Sequence, residues 1–144
     1  MLTEVPAYDD FAWFYDRYWN EEFHSLAFPI LERIWLPRVP ANGRILDVCC
    51  GTGYLAGLLV DRGYRLSGVD VSGPMIAYAR EHVPSADFHV ADVAAFRSEQ
   101  QFDAAVSTFD SLNHMLTAED LRRVIEGVRR ALEPGGLYVF DMNL

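Results

Sequence analysis

Residues 45–53, Ile-Leu-Asp-Val-Cys-Cys-Gly-Thr-Gly, join an apolar run to a glycine turn, and a second apolar stretch follows at 54–60. A strand that breaks over glycines into a helix aims backbone N–H groups and a positive helix end at a ligand, an arrangement suited to a nucleotide-type cofactor. Gly51 and Gly53 carry no Cβ, so a bound group can come close to the main chain. Asp47 falls at the carboxyl end of the expected strand, where open α/β sheets bind ligands. Asp70 ends the next apolar run, 17 positions after Gly53. A carboxylate there can accept both hydroxyls of a ribose in charge-assisted hydrogen bonds, with turn or helix capping as its structural alternative.

Thr108-Phe109-Asp110-Ser111-Leu112-Asn113-His114 follows the fourth apolar run and lies at the same end of the expected sheet. Asp110 or Asn113 could position an amine or hydroxyl nucleophile. His114 is the histidine placed for general-base work, and packing beside the following helix is the competing role. His24, His82 and His89 read as surface or packing residues.

The elements that must position these groups alternate after residue 43. Strands are expected at 44–48, 64–70, 86–90, 102–108 and 137–142. Helices are expected at 53–61, closed by Gly63, at 72–82 with Pro74 as its first residue, and at 117–132. Thr117 opens the last with Asp120 in a short version of the capping box, and Pro134-Gly135-Gly136 is expected to end it. The 91–101 connection shows no helical period beyond a turn. Strands separated by helices imply right-handed crossovers and an α/β doubly wound sheet of five mainly parallel strands with flanking helices.

Residues 1–43 differ in composition, since ten of the nineteen aromatics fall between Tyr8 and Trp35. One or two helices are expected, the second at 21–36 and bent or interrupted at Pro29. These rings pack the segment onto the sheet domain, or some of them, Tyr15 and Tyr18 first, form a lid over the site. The organisation read here is a lid segment at 1–43 and a cofactor-binding core at 44–144.

A chain of 144 residues with 51% hydrophobic and 23% charged residues is one globular domain. A net charge of −9 argues against nucleic acid as a partner. No apolar run nears the length of a membrane span, and no signal peptide is expected at the acidic N-terminus. Cys49 and Cys50 form no disulfide framework, which fits a reducing cytoplasm, and they are too few for a metal site.

Leu46-Asp47-Val48-Cys49-Cys50-Gly51-Thr52-Gly53, Gly68-Val69-Asp70-Val71-Ser72, Ala91-Asp92-Val93, 102–114 and Leu132-Glu133-Pro134-Gly135-Gly136-Leu137 together resemble, in order and spacing, the class I S-adenosylmethionine-dependent methyltransferases. The resemblance covers residues 44–144, and the Tyr15-Asp16 element is also common in that family. It implies a Rossmann-like core that binds S-adenosyl-L-methionine. By the same resemblance, Tyr15, Asp47, Cys49, Gly51, Gly53, Asp70, Val71, Met75, Asp92, Val93 and Thr108 surround the cofactor. Asp47 would hold its ammonium, Asp70 its ribose, and Asp92 with the Val93 N–H its adenine, with Met75 on the adenine face. The implied activity is methyl transfer to a small-molecule nitrogen or oxygen acceptor by in-line displacement, with Asp110, Asn113 and His114 on the acceptor side.

Cys49 replaces the first glycine of the family turn, so φ there is expected to suit a residue with a Cβ. Both cysteines read as buried structural thiols. The family sheet usually has seven strands, so the fifth strand is expected to present an open apolar edge. An N-terminal fragment of a longer enzyme is one explanation, and a homodimer through that edge is the other. A non-catalytic cofactor-binding subunit is the second functional reading. Gly51-x-Gly53-x-x-Ala56 also satisfies a dinucleotide fingerprint, so an NAD-dependent oxidoreductase is the third.

Overall fold

The computed structural model describes residues 8–143. Its centre is β1 (Arg44–Val48), whose Ile45, Leu46 and Val48 are all buried, as in a strand covered on both faces. β2 (Arg65–Asp70) and β3 (Asp87–Val90) lie outward on one side of it, and β4 (Phe102–Ser107) and β5 (Leu132–Phe140) on the other. The order is β3-β2-β1-β4-β5 and every pairing is parallel. The chain runs from β1 out to β3 and then crosses back to β4. The switch in direction between β1 and β4 opens a crevice at the carboxyl ends of the strands.

Three helices link these strands: α3 (Tyr54–Asp61), α4 (Gly73–His82) and α5 (Ala118–Ala131). Side-chain alternation along β1 divides the core. Ile45 packs with Leu55, Leu59 and Ile76 on the α3 and α4 side, whereas Leu46 and Val48 pack with Val124 and Val128 of α5. Ser72 caps α4 by accepting the Met75 N–H, with Pro74 at the second helical position rather than the first. Thr117 caps α5, accepting the Asp120 N–H at 3.0 Å while its hydroxyl donates to the Asp120 carboxylate at 2.7 Å. The 91–101 connection contains no helix.

Two helices precede the sheet, α1 (Ala12–Tyr18) and α2 (Asn20–Ile34). α2 runs through Pro29, the position expected to bend or interrupt it, without interruption. The proline removes one helical hydrogen bond, and burial of Phe28 and Leu31 on either side offsets that loss. Phe28, Leu31, Trp35 and Leu36 share a core cluster with Ile45 and Leu59, so α2 packs continuously onto the sheet layer.

The expected boundary between α5 and β5 shifts. The helix ends at Ala131, before Pro134-Gly135-Gly136, and Leu132 already pairs with Phe102. The Pro-Gly-Gly run instead forms an irregularity within β5, after which Leu137 pairs with Ala104. Gly135 takes φ +86° there, a conformation open to glycine. β5 forms one edge of the sheet, with Leu137 and Phe140 exposed.

Candidate functional site

β1 leaves the sheet at Val48 into a turn with positive φ at Cys49 (+60°), Gly51 (+53°) and Gly53 (+81°). The expectation for Cys49 is thereby corrected, because a residue with a Cβ occupies the left-handed region. The fold holds it there: the Cys50 N–H donates to the Val69 carbonyl at 3.1 Å and the Gly53 N–H to the Cys50 carbonyl at 3.1 Å. The adjacent thiols belong to opposite sides of the sheet. Cys50 is buried among the α3 and α4 residues, and Cys49 is half-buried against the α5 side. Burial pushes both thiols upward, which keeps them protonated and inert.

The two glycines of the turn do different work. A Cβ on Gly53 would lie 3.0 Å from the Ala79 Cβ and 3.1 Å from its Cα, so Gly53 lets α3 approach α4. A Cβ on Gly51 would meet only the Tyr15 ring, at 3.6 Å. Tyr15 of α1 therefore lies over the turn where the main chain is bare.

Asp70, at the end of β2, reaches back to this turn. One carboxylate oxygen accepts the Gly51 N–H at 2.9 Å and the other the Ser72 N–H at 3.0 Å. Burial raises its pKa while these N–H groups lower it. A carboxylate has about four acceptor positions, so each oxygen keeps a further one for a ligand.

Asp47 stands apart. It is buried, and among the described residues no donor reaches its Oδ2. Burial, and then the charge of Asp70, push its pKa up to about 8. An orphaned buried carboxylate of this kind suits a cationic partner.

A cavity of about 300 Å³ opens beside these groups. Cys49, Gly51, Asp70, Val71, Met75, Asp92 and Val93 line it, with Tyr15 over Gly51. Asp92 accepts the Ala94 N–H at 2.9 Å, which fixes its loop. Asp110 and His114 of the loop after β4 also line it. Tyr8 lies against His114, its hydroxyl 2.8 Å from His114 Nε2 and the two rings edge to face at 5.2 Å. Ser72 Oγ donates to Asp9 at 2.6 Å and ties the same N-terminal stretch to α4.

Five residues singled out from the sequence lie outside the cavity lining: Tyr18, which is exposed, Asp47, Gly53, Thr108 and Asn113. Thr108 Oγ1 faces His24 Nε2 at 3.4 Å. Asn113 is engaged with Asn143, donating to its carbonyl at 2.8 Å and accepting its N–H at 3.0 Å. Conversely, Tyr8, Trp19, Phe109, Ser111 and Met115 line the cavity without having been singled out as site residues. The aromatic density of the N-terminal segment was a signal for the first two. Met115 had none. Buried His24 is held neutral by desolvation and His82 lies 3.0 Å from the Thr52 carbonyl, so both serve packing.

Among the described residues there is no cluster of metal-ligating side chains and no helix long and apolar enough to cross a membrane.

Residues 45–136 match the family model of a methyltransferase domain. A dTDP-3-amino-3,4,6-trideoxy-alpha-D-glucopyranose N,N-dimethyltransferase of Streptomyces venezuelae is 34% identical over 104 residues, which is 72% of this chain and 44% of that protein. The crystal structure of Streptomyces venezuelae DesVI superposes with a TM-score of 0.77 at 30% identity, covering 97% of this chain and 58% of the other. The S-adenosylmethionine-bound amino pentose methyltransferase CalS10 of Micromonospora echinaspora gives a TM-score of 0.72 at 28% identity, over 88% of this chain and 51% of the other. The chain spans about half the length of the curated relatives it matches.

Proposed function

Because this chain belongs to the class I S-adenosylmethionine-dependent methyltransferases, we propose that it binds the cofactor in the cavity beside Asp70 and directs methyl transfer to a small-molecule amine or hydroxyl. The observation that carries this reading is the Asp70 carboxylate. It is fixed by the N–H groups of Gly51 and Ser72, and it lines the cavity with acceptor positions to spare.

The residues present fit the cofactor. Asp70 would accept the ribose hydroxyls. Asp92 and the Val93 N–H would receive the adenine, with the buried Met75 beside it. Asp47, orphaned and protonated without a ligand but set outside the cavity lining, would hold the ammonium group through a bridging water. The bound sulfonium supplies a methyl group that is already electrophilic. What remains for the protein is alignment and exclusion of water. Tyr15 and Tyr8, whose rings meet edge to face 6.4 Å apart, both line the cavity, and that aromatic cover serves the second task.

Acceptor chemistry falls to Asp110 and His114 on the cavity wall. An amine needs only to be neutral when it attacks, and the Asp110 carboxylate offers it a hydrogen-bond acceptor. A hydroxyl gains from a base. With His114 Nε2 bearing the proton and donating to the Tyr8 oxygen, Nδ1 is left free to accept the hydroxyl proton. The relatives named for amino-sugar N,N-dimethylation favour the amine.

Incubation with methyl-labelled S-adenosylmethionine and matched panels of amino and hydroxy sugars tests the proposal. Label transferred to an amine or hydroxyl, with stoichiometric demethylated cofactor, is the expected result. Cofactor binding without transfer to either panel would leave a non-catalytic binding module.

A further inference from the structure

Two consecutive residues with side chains, Phe109 and Asp110, have positive φ, +63° and +56°. Left-handed backbone is uncommon for any residue with a Cβ and is an outlier for a bulky ring, so two in succession need a restraint. The restraint lies on another strand. Asp141, just past β5, accepts the Phe109 N–H on Oδ2 at 2.8 Å and the Asp110 N–H on Oδ1 at 2.8 Å. Its own N–H donates to the Ser107 carbonyl at 3.2 Å, which sets the carboxylate directly opposite the end of β4. Asn143 adds a brace, its Nδ2 donating to the Asp110 carboxylate at 2.6 Å.

This clamp decides what faces the cavity. With the loop held, the Phe109 ring stacks on Phe23 of α2, centroids 4.3 Å apart and 8° from parallel, and sits 5.6 Å from Tyr15 of α1. Asp110 then opens the short 3-10 turn Ser111–His114 that carries His114 to the same wall.

We propose that Asp141 is a positioning residue: its carboxylate holds Phe109 and Asp110 in the left-handed region and thereby builds the acceptor wall and seats Tyr15 over the cofactor turn. The second half of this inference rests on the cofactor reading given above. The first half does not.

The test uses Asp141→Ala, Asp141→Asn and the double variant Asp141→Ala with Asp110→Gly, compared by amide hydrogen exchange and by titration with S-adenosylhomocysteine. In Asp141→Ala the Phe109 and Asp110 amides should exchange on the order of 100-fold faster, with the β4 amides unchanged, because only the side-chain acceptor is lost. S-adenosylhomocysteine should bind about tenfold more weakly. A carboxamide has one acceptor oxygen for the two N–H groups, so Asp141→Asn should fall between. Glycine takes positive φ freely, so Asp110→Gly in the Asp141→Ala background should recover affinity to within about threefold of the parent, which a merely structural loss would not do. Unchanged exchange at 109 and 110, or an affinity loss that Asp110→Gly fails to repair, overturns the proposal. If the parent protein itself does not bind S-adenosylhomocysteine, the cofactor reading has failed, and the exchange data alone decide whether Asp141 is the clamp.

Discussion

Asp70 reaches from the end of β2 to the glycine turn and accepts the Gly51 N–H at 2.9 Å, so the residue proposed to bind ribose also fixes the turn beneath it. A second bond, from the Ser72 N–H at 3.0 Å, locks the same carboxylate to the start of α4. The site is thereby organised before any ligand arrives, and binding need not order it.

The two turn glycines separate stability from binding. Gly53→Ala places a Cβ 3.0 Å from that of Ala79 at φ +81°, and should cost about 1–3 kcal/mol of stability in chemical denaturation. Gly51→Ala meets only Tyr15 at 3.6 Å, so its stability loss should be nearer 1 kcal/mol, the cost of a left-handed residue with a Cβ. Its cofactor affinity should fall further than Gly53→Ala lowers it, because the new methyl occupies the approach to the main chain. Equal affinity losses in the two variants would contradict this division.

Asp47 makes stability and binding depend on pH in opposite senses. Its folded pKa is raised to about 8 by burial and by the charge of Asp70. Unfolded, it titrates near about 3.9, so the folded protein keeps a proton that the unfolded chain has released. Ligand-free stability should therefore fall as pH rises from about 4 to about 8 and level off above that. A bound ammonium group near Asp47 favours the ionised form instead. Cofactor binding at pH 7 should release close to one proton, measured by calorimetry in buffers of different ionisation enthalpy, and affinity should rise toward about pH 8. Asp47→Asn should abolish both trends; retention of the proton release would assign it to another group.

Tyr8 and His114 distinguish acceptor types. If Tyr8 fixes the tautomer that leaves His114 Nδ1 basic, then Tyr8→Phe and His114→Ala should both lower kcat for a hydroxyl acceptor, the latter by about 100-fold. An amine acceptor that is neutral at the assay pH should lose much less. Equal losses for both acceptor types would mean that the pair closes the cavity and moves no proton.

The sheet was legible because its strands are apolar runs punctuated by glycine and proline, and the site residues at strand ends followed from the same pattern. Asp70 needed only its position at the end of β2, whereas Asp92 came with the family resemblance. What escaped the sequence depends on contacts between distant segments. Nothing local marks Cys49 as left-handed, since the conformation is fixed by the pairing of Cys50 with Val69 on the neighbouring strand. Gly53 belongs to the same motif as Gly51, and only the position of Ala79 shows that it serves helix packing. Asn113 could be expected in the site until Asn143 is seen to hold it. Pro29 does not interrupt α2, since burial of Phe28 and Leu31 against the sheet layer offsets the lost hydrogen bond.

Calorimetric titration of the parent protein and Asp70→Ala with S-adenosylmethionine, S-adenosylhomocysteine and NAD tests the central claim most directly. Dissociation constants on the order of micromolar for the first two, weakened about 100-fold or more in a folded Asp70→Ala variant by the loss of charge-assisted hydrogen bonds, are the predicted result. Binding of NAD alone, or S-adenosylmethionine affinity that survives the loss of Asp70, would contradict it.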